Sequence, residues 1–216
     1  MRSPLVLVPT RIEYETLYRR LAAVVEPAGG VIALCGFGVI AAAARTAELL
    51  AQYEPQQVVL VGIAGALDDR LSIGTACAFD EVVCYGIGSG SGASYRTAGE
   101  MGWLQWDDHG TSDVGDMLPL GPDAANAESP PLQLLTACAA SATPAEVRWR
   151  KSKYPQAAAE DMEGFSVAVA CHLRKTPLQI IRGIANRAGD RDPRNWRTNE
   201  ALHAAAELAS KVLCSD

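Results

Sequence analysis

The chain has 216 residues, 49% of them apolar and 20% charged, with a net charge of -6. That balance fits a globular domain with a sizeable core and excludes a disordered chain. Its 19 basic residues are scattered, which argues against nucleic acid binding, and every apolar run stops well short of the roughly 18 residues of a membrane span.

The opening MRSPLVLVPTRIEYE turns acidic at once and reads as a first strand rather than a signal peptide. Leu5 to Val8 is an unbroken apolar run, the pattern of a strand covered on both faces. Thr10 caps the helix that follows, and Glu13 stands at the capping-box position three residues on. Tyr14, Leu17, Leu21 and Val24 form its apolar stripe, and Pro27 with Gly29-Gly30 ends it. Val31 to Cys35 is a second buried strand, turned by Gly36-Phe37-Gly38 into an alanine-rich helix over Val39 to Ala51. Val58 to Val61 is a third strand, running into GIAGAL at 62–67. Such strand–helix units predict an α/β layered fold with helices on both faces.

Gly74 to Tyr85 reads as one or two strands of a hairpin-like or bent sheet. Gly86 to Pro131 is rich in Gly, Ser, Asp and Pro, and is either a lid over a pocket or a solvent-facing excursion. A structureless loop of that length is unusual, so short strands or a helix are expected within it. Leu132 to Cys138 returns to strand, and Thr143-Pro144 starts a short charged helix. From Ala157 to Asp192 the chain places Asp161 and Glu163 beside the apolar helix Gly164 to Leu173. It then sends the strand Leu178 to Ile184 back to Asn186 and Asp190, so that the two polar clusters meet at one sheet edge. Glu200 to Leu213 is a closing helix with Leu202, Ala205, Ala209 and Val212 inward. With no repeat and no linker, one domain is expected over residues 1–216.

Six cysteines without a CxxC, five of them in apolar segments, suggest buried thiols in a reducing compartment, hence a cytoplasmic protein. His109, His172 and His203 lie far apart with no Cys/His cluster, which argues against a zinc site.

The candidate residues gather at strand ends, where ligands bind in α/β sheets: Glu13, Gly36 and Gly38, Ala64-Gly65, and Asn186. Glu13 alone is equally a first-turn acid, and Glu163 a dipole-compensating carboxylate paired with Arg182. If Asp161-Met162-Glu163 is extended, both acids point one way and Met162 the other, toward a ligand or the core. GFG is not a dinucleotide fingerprint, and GxSxG, a P-loop and HExxH are absent.

VPTRIEYETL, GFGVIAAAARTAELL, GIAGAL, SIGT and, above all, AEDMEG and RGIANRAGDRD together resemble the nucleoside phosphorylase and nucleosidase superfamily. The GDRDPRNW ending and Asn186 resemble the futalosine hydrolases within it, which remove hypoxanthine from futalosine in the alternative menaquinone pathway. The resemblance implies a three-layer α/β/α sandwich around a central mixed, twisted sheet. It also implies a purine nucleoside as substrate, no metal or other cofactor, and a homodimer or higher homo-oligomer. In this reading Glu13 activates the attacking water, Glu163 holds the ribose hydroxyls, and Asn186 contacts the leaving base. Gly65, Asp161, Met162 and Arg182 complete the substrate site, Met162 lining the ribose and Arg182 orienting Glu163.

Methylthioadenosine and S-adenosylhomocysteine nucleosidases carry an aspartate at the position matching Asn186, where it protonates N7 of adenine. An amide there can accept from N7–H and donate to O6, which favours a 6-oxopurine. Ala185 replaces a serine common beside that position, and Ala139-Ala140-Ser141 replace an aromatic stacking residue, leaving Phe37 or a loop tryptophan for that task. Arg96, Arg191 and Arg194 are candidates for the carboxylate of futalosine. The competing readings are a related purine nucleosidase, acting on aminodeoxyfutalosine or methylthioadenosine, a phosphorylase, and a non-enzymatic nucleoside-binding protein. A phosphorylase needs an arginine near GFG or GIAG that the sequence lacks, and a pure binder has no use for Glu13 and Glu163.

Overall fold

A computed structural model describes residues 3–121 and 131–214. In chain order, β1 (Pro4–Val8), α1 (Arg11–Val25), β2 (Val31–Leu34), α2 (Gly38–Tyr53) and β3 (Gln57–Ala66) form the first half of a sheet with its helices. β4 (Ala76–Phe79), β5 (Glu81–Tyr85) and the short β6 (Gly88–Ser89), β7 (Arg96–Thr97) and β8 (Met117–Pro119) follow. The chain closes with β9 (Gln133–Ala137), α3 (Pro144–Lys153), β10 (Ala157–Asp161), α4 (Gly164–Leu173), β11 (Leu178–Arg187) and α5 (Thr198–Cys214).

The apolar runs are continuous because both faces of the sheet are covered. Leu5 and Leu7 pack into the core under α2 and α4, while Val6 and Val8 pack into the core under α1 and α5. This alternation along a strand makes the three layers of the α/β/α sandwich. The predicted capping box of Thr10 with Glu13 is present on α1, and α3, which starts at Thr143-Pro144 as expected, carries a second box of Thr143 with Glu146. The buried stripe of α1 ends on Val25 rather than Val24, one residue further round the helix.

The sheet is mixed and nine-stranded, in the order β2-β1-β3-β10-β9-β5-β8, with β11 and then β4 on the other side of β3. One edge of the long β3 changes partner along its length. β1 lies parallel beside it over Pro4–Leu7 against Gln57–Leu60, and β10 lies antiparallel beside Gly65 and Ala66. On its other edge β11 runs parallel from Val58 to Ala66. Between the end of β1 and the end of β10 the sheet therefore forks, and a crevice opens over residues 61–64.

Gly74 to Tyr85 takes the bent rather than the hairpin form, the excursion from Gly86 holds short elements as expected, and the burial of the cysteines needs correction. β4 and β5 do not form a hairpin: a bend at Asp80 sends β4 antiparallel to β11 and β5 parallel to β9. The segment from Gly86 does carry short strands and 3-10 turns, and residues 122–130 of it lie outside the described residues. Burial of the thiols holds for Cys35, Cys84 and Cys171 and partly for Cys77, whereas Cys138 and Cys214 are exposed. Among the described residues no helix is long and apolar enough to cross a membrane.

Candidate active site

A cavity of about 630 Å³ occupies the fork. Pro9, Thr10, Ile12 and Glu13 reach it from the end of β1, Ile63 to Gly65 from β3, and Glu160 to Glu163 from the end of β10. Phe37, the loop from Cys138 to Ala142, Asn186, Arg191, Trp196 and Thr198 complete the wall. None of the described residues of the 86–131 excursion lines it, so the lid reading finds no support there.

Arg182 of β11 lies beneath the crevice, completely buried. Its Nε and Nη2 both donate to Asp161 Oδ2, at 3.1 and 2.5 Å, and Nη2 lies 3.5 Å from Glu163 Oε2. Burial alone would disfavour this cation, but Asp161, Glu163 and Glu13 around it more than reverse the penalty and raise its pKa. The guanidinium crosses β3 at Gly62, where a Cβ would sit 2.3 Å from Nη1 and 2.8 Å from Glu13 Oε1. Only glycine leaves room for the charge cluster at that point.

Asp161 is the anchor of this cluster. Its Oδ1 accepts from Thr136 Oγ1 at 2.6 Å, and its Oδ2 accepts from Gly164 N as well as from Arg182. Its side chain is completely buried, so the carboxylate presents no surface to a ligand. Arg182 does not line the cavity at all. The expected placement of Asp161 and Arg182 as substrate contacts is therefore corrected: they fix the floor and the neighbouring Glu163 from behind. Of the two acids, Asp161 and not Glu163 makes the close pair with Arg182.

Glu163 lies at the start of α4, facing the cavity, and accepts a hydrogen bond of 3.0 Å from Gly38 N at the start of α2. The glycine turn and the EDMEG segment, 125 residues apart, thus meet in one contact. Burial pushes the Glu163 carboxyl up to about 7; Arg182 and the Gly38 amide oppose the shift, and Asp161 and Glu13 add to it. Glu13 faces the same space. Its Oε2 accepts from Thr10 N and Oγ1 at 3.1 and 2.6 Å, and its Oε1 accepts from Ile63 N at 3.0 Å. The Ile63 amide falls where β3 has lost β1 and not yet met β10, so Glu13 satisfies a strand-edge donor as well as capping its helix. Both roles anticipated for Glu13 are compatible: the cap holds the carboxylate rigid at the cavity wall.

Asn186 stands opposite Gly65 in the β3–β11 ladder, and an ideal Cβ on Gly65 would lie 3.3 Å from Asn186 Oδ1. Asn186 Nδ2 donates to the carbonyls of Arg187 and Asp190, at 2.9 and 3.3 Å. Both amide hydrogens are thereby used on its own loop, so Asn186 offers the cavity an acceptor and no donor. The expected second bond, from this amide to a purine O6, is not available in this arrangement. The Asp190 carbonyl also accepts from Trp196 Nε1 at 3.2 Å, and Arg191 stacks 5.3 Å over the Trp196 ring. Met162 lines the cavity rather than the core.

Among the aromatic candidates, Phe37 and Trp196 line the cavity, and Trp103 and Trp106 do not. Of the three arginines weighed, Arg191 lines it; Arg194 pairs with Asp192, and Arg96 donates to the Glu100 carbonyl at 2.7 Å. Sequence reasoning passed over Glu160. An acid following Ala157-Ala158-Ala159 in a wholly buried strand needs a cationic partner, and that was the available signal.

The model of the phosphorylase superfamily matches residues 27–215. Futalosine hydrolase of Streptomyces coelicolor is 29% identical over 156 residues, 72% of this chain and 64% of that protein, just under two thirds of its length. The 5'-methylthioadenosine/S-adenosylhomocysteine nucleosidase of a Marinomonas species is 27% identical over 188 residues, 85% of this chain and 78% of that protein. Among solved structures, the corresponding nucleosidase of Neisseria meningitidis, in complex with methylthio-immucillin-A, superposes with a TM-score of 0.75. It does so at 17% identity over 100% of both chains, a likeness of fold.

Proposed function

The chain belongs to the phosphorylase superfamily, and we propose that it is a purine nucleosidase hydrolysing the N-glycosidic bond of futalosine, releasing hypoxanthine and dehypoxanthine futalosine. The observation that carries the reading is the cavity itself, with Glu13 and Glu163 on one side and the Asn186 acceptor across Gly65. Glu13 takes a proton from the attacking water, whose hydroxyl goes to the anomeric carbon as the C–N bond breaks. Glu163, ionised, accepts from the ribose hydroxyls and stabilises the positive charge that develops on the sugar. The departing base takes a proton at N7 from solvent, and Asn186 Oδ1 accepts the resulting N–H.

Water rather than phosphate fits as the nucleophile. The amide at the start of α2, a natural anion site, is occupied by Glu163, and the one cation lining the cavity among the described residues is Arg191. Arg191, on its Trp196 platform, matches the carboxylate of futalosine better than the neutral tail of methylthioadenosine. Ile12, Phe37 and Ile40 are 76%, 64% and 83% exposed, a surface that fits a second copy of this chain in a homo-oligomer. The deciding experiment incubates the protein with futalosine, aminodeoxyfutalosine, methylthioadenosine and inosine, with and without phosphate. Free hypoxanthine and a 1-hydroxy sugar from futalosine, at a phosphate-independent rate, are expected. A sugar 1-phosphate, or preference for methylthioadenosine, refutes the assignment.

A further inference from the structure

Across the sheet, Asn186, Gly65 and Glu160 form one row: Asn186 is paired with Gly65 in the β3–β11 ladder, and Glu160 with Gly65 in the β3–β10 ladder. Ladder partners project to the same face, so two polar side chains flank a position that has none. With strands about 4.8 Å apart, Asn186 and Glu160 start roughly 10 Å from each other, enough to admit the edge of a planar base between them.

Glu160 is only 4% exposed, yet it lines the cavity. Its Oε2 accepts from Arg150 Nη1 at 2.5 Å and from Ser141 Oγ at 2.7 Å, and its Oε1 accepts from Ser141 N at 2.7 Å. A carboxylate has roughly four acceptor sites, so one remains, on Oε1. Arg150 is buried too and donates to the Ala139 carbonyl at 2.6 Å, while the Ser141 carbonyl accepts from Gly189 N at 3.2 Å. The ionised carboxylate is thus locked in place and tied to the loop that carries Asn186. Nothing in the steps at the glycosidic bond uses it.

We propose that Glu160, held by Arg150 and Ser141, is the residue that selects a 6-oxopurine, by accepting a hydrogen bond from its N1–H. This rests on the reading of the cavity as a purine nucleoside site. A 6-oxopurine has a proton on N1; a 6-aminopurine presents a lone pair there. Facing a fixed carboxylate, the first gains a charge-assisted hydrogen bond and the second meets repulsion. The Asn186 amide cannot supply this discrimination, because both its hydrogens are bonded to main-chain carbonyls.

The test uses free bases, so it does not depend on turnover. Hypoxanthine, 1-methylhypoxanthine and adenine are titrated calorimetrically into the wild-type protein. Hypoxanthine should bind at least roughly tenfold more tightly than either of the others, which both lack N1–H. Equal binding of hypoxanthine and 1-methylhypoxanthine overturns the proposal. Glu160→Gln is then made together with Arg150→Gln, so that no buried cation is left unpaired, and its fold is checked by circular dichroism. The hypoxanthine-to-adenine ratio should drop about tenfold, since a glutamine amide can donate to the adenine N1. An unchanged ratio in a folded variant overturns the proposal, and if the variant fails to fold the wild-type panel decides alone. Should no nucleoside be cleaved while the bases rank as expected, the hydrolase reading falls and this one stands. Cleavage of futalosine without that ranking overturns the role of Glu160 and leaves the hydrolase reading standing.

Discussion

The Glu163 carboxyl couples activity and stability to pH in opposite directions. Its pKa rises from 4.5 to about 7, chiefly through burial, with the attraction of Arg182 only partly offsetting it. At about 1.4 kcal/mol per unit, the shift corresponds to roughly 3 kcal/mol of preference for the protonated form in the folded state. Because the folded pKa is raised, that stabilisation is complete below pH 4.5, falls as the pH climbs toward 7, and is gone above it. The proposed chemistry needs the ionised form. Below about pH 7, kcat/KM should therefore fall by up to tenfold per unit, reporting the free enzyme. Between about pH 5 and 7 the protein should become more active as it becomes less stable. The assay is kcat/KM for base release, together with chemical denaturation, at half-unit pH steps. Glu163→Gln should lower activity and remove the Glu163 component of both slopes. A wild-type kcat/KM that stays level through this range, with wild-type and variant stability curves running parallel, refutes the assignment of Glu163 as a buried, functionally ionised acid.

Glu13→Gln should reduce kcat by roughly 10²–10⁴-fold while KM changes little, since the proposed proton transfer belongs to the transition state; a turnover within about threefold of wild type would leave Glu13 only its helix cap. Gly62→Ala should cost about 1–3 kcal/mol in denaturant unfolding, because its Cβ would lie 2.3 Å from Arg182 Nη1 and push the guanidinium out of the charge cluster; an unchanged midpoint would mean that Arg182 is not confined there. Asn186→Asp should place a carboxylate oxygen against the carbonyls of Arg187 and Asp190, so the 186–196 loop should loosen and kcat/KM fall by roughly tenfold or more. Tryptophan fluorescence, which reports Trp196 on that loop, should change in parallel; retention of both signals would show that the amide hydrogens do not hold the loop.

Much of this fold is legible locally. The unbroken apolar runs of β1, β3 and β11 record a sheet covered on two faces, and Thr10 with Glu13 and Thr143 with Glu146 record helix starts within three residues. The acids and amide at the strand ends likewise point to the edge where the cavity lies. Pairing between distant segments was not legible, because periodicity is a property of neighbours in the chain. Which acid binds Arg182, the use of Gly38 N by Glu163 and the bond from Ile63 N to Glu13 all depend on where β3 changes partner. Asn186 shows the same limit at a single side chain: its identity offers both a donor and an acceptor, and only the return of the Asp190 carbonyl beneath it leaves the acceptor alone facing the site. In the sequence Glu160 is one more acid beside Asp161, yet alternation along β10 turns the two to opposite faces, one locked onto Arg182 and the other beside Gly65 in the wall of the cavity.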